Sequence, residues 1–206
     1  MSKSCAIFGA GGHGKVLAEI AELNGYETIL FFDDNWPQKD VHQKWPVIGG
    51  SKELNKRCCE FELVVVAIGD NPKRLKKINA LLSLGAKMQA LHHPNSIVSK
   101  YSTIGEGSVI MAGAIINPFV NIGTGCIINS GAIVEHDCHI YDGVHISPGS
   151  SLAGNVSVGK LSWIGIGAKI KNAVSISSDV VIGAGSVVIS DVSESSIIVG
   201  VPGKPL

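Results

Sequence analysis

From Val98 to Val188 an aliphatic residue stands at every sixth position, sixteen times without exception, through Ile104, Ile110 and Ile116 to Ile182. Four residues after each of the first fifteen comes only Ser, Ala, Cys or Val, from Ser102 to Ser186, so a second inward column is held small. A period of six fits neither the 3.6 of a helix nor an ordinary hairpin array. It fits short strands that turn a corner every sixth residue and stack as a parallel β-helix. An ordinary β-sandwich would not keep phase over such a length.

Each corner needs a compact or φ-positive residue, which glycines such as Gly105, Gly107, Gly113, Gly123, Gly125 and Gly143 are expected to supply. If three six-residue sides make one coil, residues eighteen apart lie directly above one another. The pattern breaks near residue 95, where His93-Pro94 marks a joint, and this divides the 206 residues into two domains, 1–93 and 94–206.

The 17 Lys and Arg are matched by 17 Asp and Glu, which leaves no electrostatic footprint for nucleic acid or an anionic membrane. No apolar run approaches the roughly 18 residues that span a bilayer, and the opening stretch from Ser4 to Phe8 is too short for a signal peptide. The 5 cysteines lack metal-type spacing. Cys126 and Cys138 fall in the small inward column, and Cys58 and Cys59 are neighbours that do not ordinarily bridge. A reduced, cytoplasmic protein is expected.

In the first domain Ser4 to Phe8 reads as a buried strand, followed by Gly9-Ala10-Gly11-Gly12-His13-Gly14 and an amphipathic helix over Val16 to Leu23. Thr28 to Phe32 and Leu63 to Ile68 read as further strands, Lys73 to Leu84 as a helix, and Met88 to Leu91 as a short strand, together a small Rossmann-like α/β unit. Gly9, Gly11 and Gly14 match G-x-G-x-x-G between strand and helix, where backbone amides at a helix N-terminus bind phosphate oxygens. Asp33 lies about where a nicotinamide site places its ribose-binding acid. A dinucleotide site needs two βαβαβ halves, however, and the chain has room for one, so a nucleotide carrying a sugar fits better. His13, Asp33 and Asp34 would line the same crevice, either holding sugar groups or merely capping the helix and turn.

On the repeat array, Glu135-His136-Asp137-Cys138-His139 stands out among aliphatic and small residues. An imidazole can take a proton from a nucleophile at neutral pH, and an adjacent carboxylate can fix its tautomer and raise its basicity. His145 lies nine residues on, half a coil round, beside a column of Pro148, Ile166 and Ala184. His136 belongs to a different corner. For the two to share a site, chains must pack side by side, which a triangular prism does most naturally as a three-fold ring. A zinc site on His136, His139 and His145 is the alternative, disfavoured because the flanking carboxylates serve a base better. His42, His92 and His93 read as surface or linker residues.

Together the glycine loop with His13, the Asp33-Asp34 pair, Ala67-Ile68-Gly69-Asp70-Asn71, the hexapeptide array, Glu135-His136-Asp137-Cys138, His145, Ala153-Gly154-Asn155-Val156 and the closing Val199-Gly200-Val201-Pro202-Gly203-Lys204-Pro205 resemble the sugar O-/N-acyltransferases. This family includes sialic acid O-acetyltransferases and the UDP-4-amino-sugar N-acetyltransferases of bacillosamine biosynthesis, to which the likeness is greatest. The resemblance implies a left-handed β-helix, a homotrimer, acetyl-CoA as donor, no metal, and a nucleotide-activated amino sugar held by the N-terminal domain. It implies His136 as catalytic base with Asp137 enhancing it, and Gly11, Gly12, His13, Asp33, Asp34 and Gly69 as acceptor contacts. His145, Ile166 and Ala184 are then acetyl-CoA contacts. The chain departs from the family in having Asp137 where Glu is frequent, so Glu135 could share the orienting role, and in Pro-Gly-Lys where Pro-Ala-Lys is common.

On this expectation His136 deprotonates the sugar amine as it attacks the thioester, and no acyl-enzyme forms, because Cys138 points into the core. The rivals are O-acetylation of a sialic or related acid, a γ-type carbonic anhydrase, and a non-catalytic scaffold.

Overall fold

The structure, a computed structural model, describes residues 3–206. The chain divides into a unit ending at Pro94 and a unit Asn95–Leu206, each with its own hydrophobic core.

The first unit runs β1 (Ser4–Phe8), α1 (Gly12–Leu23), β2 (Thr28–Phe32), β3 (Val41–His42), β4 (Trp45–Pro46), α2 (Ser51–Arg57), β5 (Leu63–Val66) and α3 (Asn71–Ser83). Strands β2, β1 and β5 are parallel in that order, and Phe8 lies opposite both Phe32 and Val66. β5 is buried throughout and β1 from Cys5 onward, which is why they read as unbroken apolar runs. Their carboxyl ends are level, so the glycine loop, Asp33-Asp34 and Ala67–Gly69 all leave from one edge of the sheet.

Helix α1 begins four residues before Val16, because Gly11 takes the extended N-cap backbone and the glycines themselves wind the first turn. Helix α3 begins at Asn71, where Asp70 caps it by accepting the Lys73 amide at 2.9 Å. The strand expected at Met88 to Leu91 is confined to Leu91–His92. Met88 instead packs into the core, and the Lys87 carbonyl accepts the Val64 amide of β5 at 2.8 Å. The β3–β4 hairpin and α2 had no sequence signal strong enough to place them.

The second unit is a left-handed β-helix of sixteen two-residue strands, from Ile97–Val98 to Val187–Val188, closed by Ile197–Val199. Strands eighteen residues apart pair in parallel on three sides. Ile115 pairs with Ile97 and Ile133 on the first side, Asn121 with Thr103 and His139 on the second, and Ile127 with Val109 and His145 on the third. From Ile110 to Val188 the aliphatic column is buried without exception; Val98 and Ile104, in the first coil, are partly so. Each buried aliphatic side chain contributes about 1.5–3 kcal/mol relative to exposure, which fixes the register.

The small column carries a second ladder. Ser108 Oγ donates to the Gly123 carbonyl and accepts the Cys126 amide, and Ser162 Oγ donates to Ser177 and accepts from Val180. Cys138 Sγ repeats the pattern with Ala153 at 3.2 Å and Val156 at 3.4 Å. Polar side chains can thus sit in this core without an unpaired group.

The corners correct one expectation. Left-handed backbone is taken not only by glycines but by Phe119, Asp137, Asn155 and Ala173 on one edge and by Leu161 and Asp179 on another. Gly105 serves a different need: a Cβ there would lie 2.5 Å from the Gly123 carbonyl one coil away.

Candidate active site

His136 sits at the corner between the first side, at Ile133–Val134, and the second, at His139–Ile140. Its Nδ1 lies 2.7 Å from Asp137 Oδ2, and the two side chains are 62% and 55% exposed. Asp137 holds φ +61°, a conformation that short polar residues adopt more readily than others. With Nδ1 donating to the carboxylate, the tautomer leaves the Nε2 lone pair open. Glu135 is engaged elsewhere: its Oε2 accepts from Asn117 Nδ2 at 2.8 Å one coil away. Cys138 is fully buried, and burial pushes its thiol up, away from the reactive thiolate.

His145 lies on the third side rather than at a corner, because it is the first residue of the strand His145–Ile146. Its ring stacks on Trp163 at 5.7 Å and 6° from parallel, and its Nε2 accepts from Asn129 Nδ2 at 3.1 Å. Trp163 is held in turn by donating Nε1–H to Ser147 Oγ at 2.6 Å. The column of Pro148, Ile166 and Ala184 is present as expected: Gly167 donates to the Pro148 carbonyl and Gly185 to that of Ile166. It forms the edge between the third and first sides. His136 and this column therefore flank opposite edges of the first side, and His139, His145 and His136 do not converge. Among the described residues no group of three or more His, Cys, Asp or Glu is placed to hold a metal ion.

In the first unit, two glycines of the loop are structural. A Cβ on Gly14 would meet the Gly9 carbonyl at 2.4 Å, and Gly9 itself has φ +110° and would meet Ala67. Gly11, Gly12 and Gly69 are exposed, and a Cβ on any of them would meet nothing within 4 Å. Helix α1 has no side-chain cap, which leaves the amides of its first turn open.

The aspartates are engaged within the unit. Asp33 Oδ2 accepts the Ala10 amide at 2.7 Å, and Oδ1 accepts the backbone and side-chain N–H of Asn35. Burial works to raise the Asp33 carboxyl, but these bonds and the nearby Lys39 outweigh it and hold the group below its ordinary range. Asp34 accepts the amide of Ser51 at 2.6 Å and its hydroxyl at 2.8 Å, at the start of α2.

His13 is the residue whose side-chain nitrogen, Nε2, is buried without a partner among those described. Burial, then the charge of Arg74, lowers its pKa to about 4 and keeps it neutral. Arg74 was missed in the sequence. Almost wholly buried, it donates Nη1 to the carbonyls of Ile68 and Gly69 and Nη2 to Asn71 Oδ1, fixing the end of β5. His42, read as a surface residue, is buried: the β3–β4 hairpin carries it back over the loop, where Nε2 lies 3.0 Å from the Gly11 carbonyl.

A glycine-loop α/β unit joined to a β-helix with a carboxylate-paired histidine at its corner defines a hexapeptide-repeat acyltransferase. The family models agree: residues 4–81 match the PglD N-terminal domain, and residues 101–136 match the bacterial transferase hexapeptide of six repeats. The structure superposes on the acetyltransferase domain of PglB from Neisseria gonorrhoeae FA1090 in complex with acetyl coenzyme A, with TM-score 0.95, 39% identity and 100% of both chains covered. It also matches PerB from Caulobacter crescentus in complex with CoA and GDP-perosamine, with TM-score 0.93, 36% identity, and 98% and 97% of the two chains covered. A curated relative, the UDP-N-acetylbacillosamine N-acetyltransferase of Bacillus subtilis (strain 168), is 38% identical over 114 residues, which span 53% of this chain and 52% of the relative. The chain belongs to the sugar O-/N-acyltransferase family.

Proposed function

We propose that the protein transfers the acetyl group of acetyl-CoA to the 4-amino group of a nucleotide-activated 4-amino-4,6-dideoxy sugar, a UDP-linked sugar of the diacetylbacillosamine type. The observation that carries this reading is the His136–Asp137 pair, with Nδ1 and Oδ2 2.7 Å apart and Nε2 left free. The full-length likeness to acetyltransferases holding acetyl-CoA, or CoA with GDP-perosamine, supports the donor and the acceptor class.

In the reaction the amine nitrogen attacks the thioester carbon while Nε2 of His136 takes its proton, and Asp137 steadies the resulting imidazolium. The tetrahedral oxyanion collapses, the carbon–sulfur bond breaks, and the thiolate of CoA leaves and recovers the proton. General-base assistance of this kind is worth on the order of 10²–10⁴-fold. Acetyl-CoA lies along the edge of Ile166 and Ala184, with His145 beside it. Gly149, Gly167 and Gly185 leave that edge bare, since a Cβ on any of them would meet nothing. The open amides near Gly11, Gly12 and Gly69 and the unpaired Nε2 of His13 suit the nucleotide sugar. The free cysteines are consistent with action in the cytoplasm.

The working unit is a homotrimer. A base more than half exposed in one protomer needs a second surface to exclude water. A ring in which the first side of each prism faces the axis brings one protomer's His136 edge against the next one's Ile166 edge. That side suits burial, because its first three outward residues are Ile97, Ile115 and Ile133, with Ile97 65% exposed.

The test is incubation with acetyl-CoA and a panel of UDP-4-amino-4,6-dideoxy sugars, GDP-perosamine and sialic acid, read by free thiol release. Release with an amino sugar, lost in His136→Ala with acetyl-CoA affinity kept, is the expected result. Release with sialic acid alone would move the assignment to O-acetylation. A monomer by light scattering would overturn the trimer.

A further inference from the structure

Two aromatic side chains lie on the same edge as the candidate base and have no part in the mechanism above. Tyr101 and Phe119 are eighteen residues apart and stack at 5.7 Å and 26°, yet they remain 57% and 61% exposed. Phe119 also holds φ +64°, a left-handed conformation in which a bulky side chain is an outlier. The next residue of this column is Asp137, whose amide donates to the Pro118 carbonyl at 3.2 Å. Parallel rungs are about 4.8 Å apart, so the Phe119 position is one rung from the carboxylate that holds His136. Exposed aromatic carbon beside reacting groups is a surface that a ligand can cover.

Resting on the proposed reaction, we propose that Tyr101 and Phe119 form the platform on which the acceptor's sugar ring lies while its amine faces His136. A 4-amino-4,6-dideoxy hexose suits such a surface. The missing hydroxyl leaves a methyl group and a C–H-rich ring face, which aromatic carbon covers without stranding a polar group. A more heavily hydroxylated sugar would lose hydrogen bonds to water there, so the platform selects for deoxy sugars. The platform is a specificity element: it touches substrate but moves no proton.

The experiment measures acceptor and acetyl-CoA KM for Phe119→Ala, Tyr101→Ala and Phe119→Trp in the full-length protein, with oligomer mass by light scattering. Both alanine variants should raise acceptor KM about tenfold or more, leave acetyl-CoA KM within about twofold, and keep the oligomer of the unaltered protein, while Phe119→Trp retains most of the affinity. Unchanged acceptor KM would overturn the proposal. So would smaller oligomers in the alanine variants, which would make these rings a contact between copies of the chain. If the unaltered protein acetylates no nucleotide amino sugar, the failure lies with the proposed reaction.

Discussion

The imidazole of His136 rests on Gly154, one coil further along: a Cβ on residue 154 would stand 2.6 Å from Cε1 and 2.7 Å from Nε2. The backbone there lies outside the left-handed region, so alanine is conformationally acceptable. What it displaces is the far end of an exposed side chain. Gly154→Ala should therefore lower kcat by roughly 10- to 100-fold, the scale on which misplaced catalytic groups act, while melting temperature moves by less than about 3 °C. A fall in melting temperature with kcat unchanged would show that the ring does not need this seat.

Cys138 makes the two contacts that Ser108 and Ser162 make at equivalent positions, one to a carbonyl fifteen residues on and one to an amide eighteen residues on. Cys138→Ser should keep stability within about 1 kcal/mol, the net worth of one hydrogen bond, and leave kcat unaltered. Trapping of an acetylated thiol by mass spectrometry would instead make Cys138 a nucleophile.

His13 gives the protein a definite response to acid. Its folded pKa, lowered from 6.5 to about 4 by burial and then by Arg74, lies below its unfolded value, so the unfolded chain binds a proton that the folded chain refuses. Its contribution is therefore fully present above pH 6.5 and is lost as the pH falls toward 4, on the order of 1 kcal/mol per pH unit. His92, also lowered by burial, adds to the same slope. Urea unfolding at pH 7 and pH 5 should thus show a smaller loss in His13→Gln than in the parent, and equal losses would contradict the assignment.

The two aspartates should separate under mutation. Asp34 caps Ser51, so Asp34→Ala should cost roughly 1 kcal/mol and appear mainly as a melting temperature lowered by a few degrees. Asp33 holds the Ala10 amide, and Asp33→Ala should release the glycine loop and raise acceptor KM several-fold. A higher acceptor KM in Asp34→Ala with stability intact would make that carboxylate a direct contact.

The β-helix was legible because one interior repeats sixteen times, and burial punishes any residue that breaks phase. The His136 cluster was legible for a different reason, as an imidazole flanked by two carboxylates, a grouping the sequence contains once. Gly154 was legible only as part of the Ala153-Gly154-Asn155-Val156 motif, since its seat under His136 arises from a side chain eighteen residues away and not from its own backbone. Arg74 was hidden in a helix rich in lysine, where burial depends on three carbonyl and amide oxygens that only the fold assembles. That Glu135 pairs with Asn117 while Asp137 pairs with His136 is likewise visible only once the coils are stacked. The left-handed Phe119 ran against turn statistics, and composition gives no warning of such exceptions.

Strict stacking also makes the molecule an indexing device. Removing one residue between Ile104 and His136 would take every later aliphatic side chain out of the inward column, whereas excising eighteen would return the imidazole to the same edge, one storey lower. Such coils lengthen or shorten by whole storeys, so the height at which the base stands is free to vary only in steps of one full circuit of the prism.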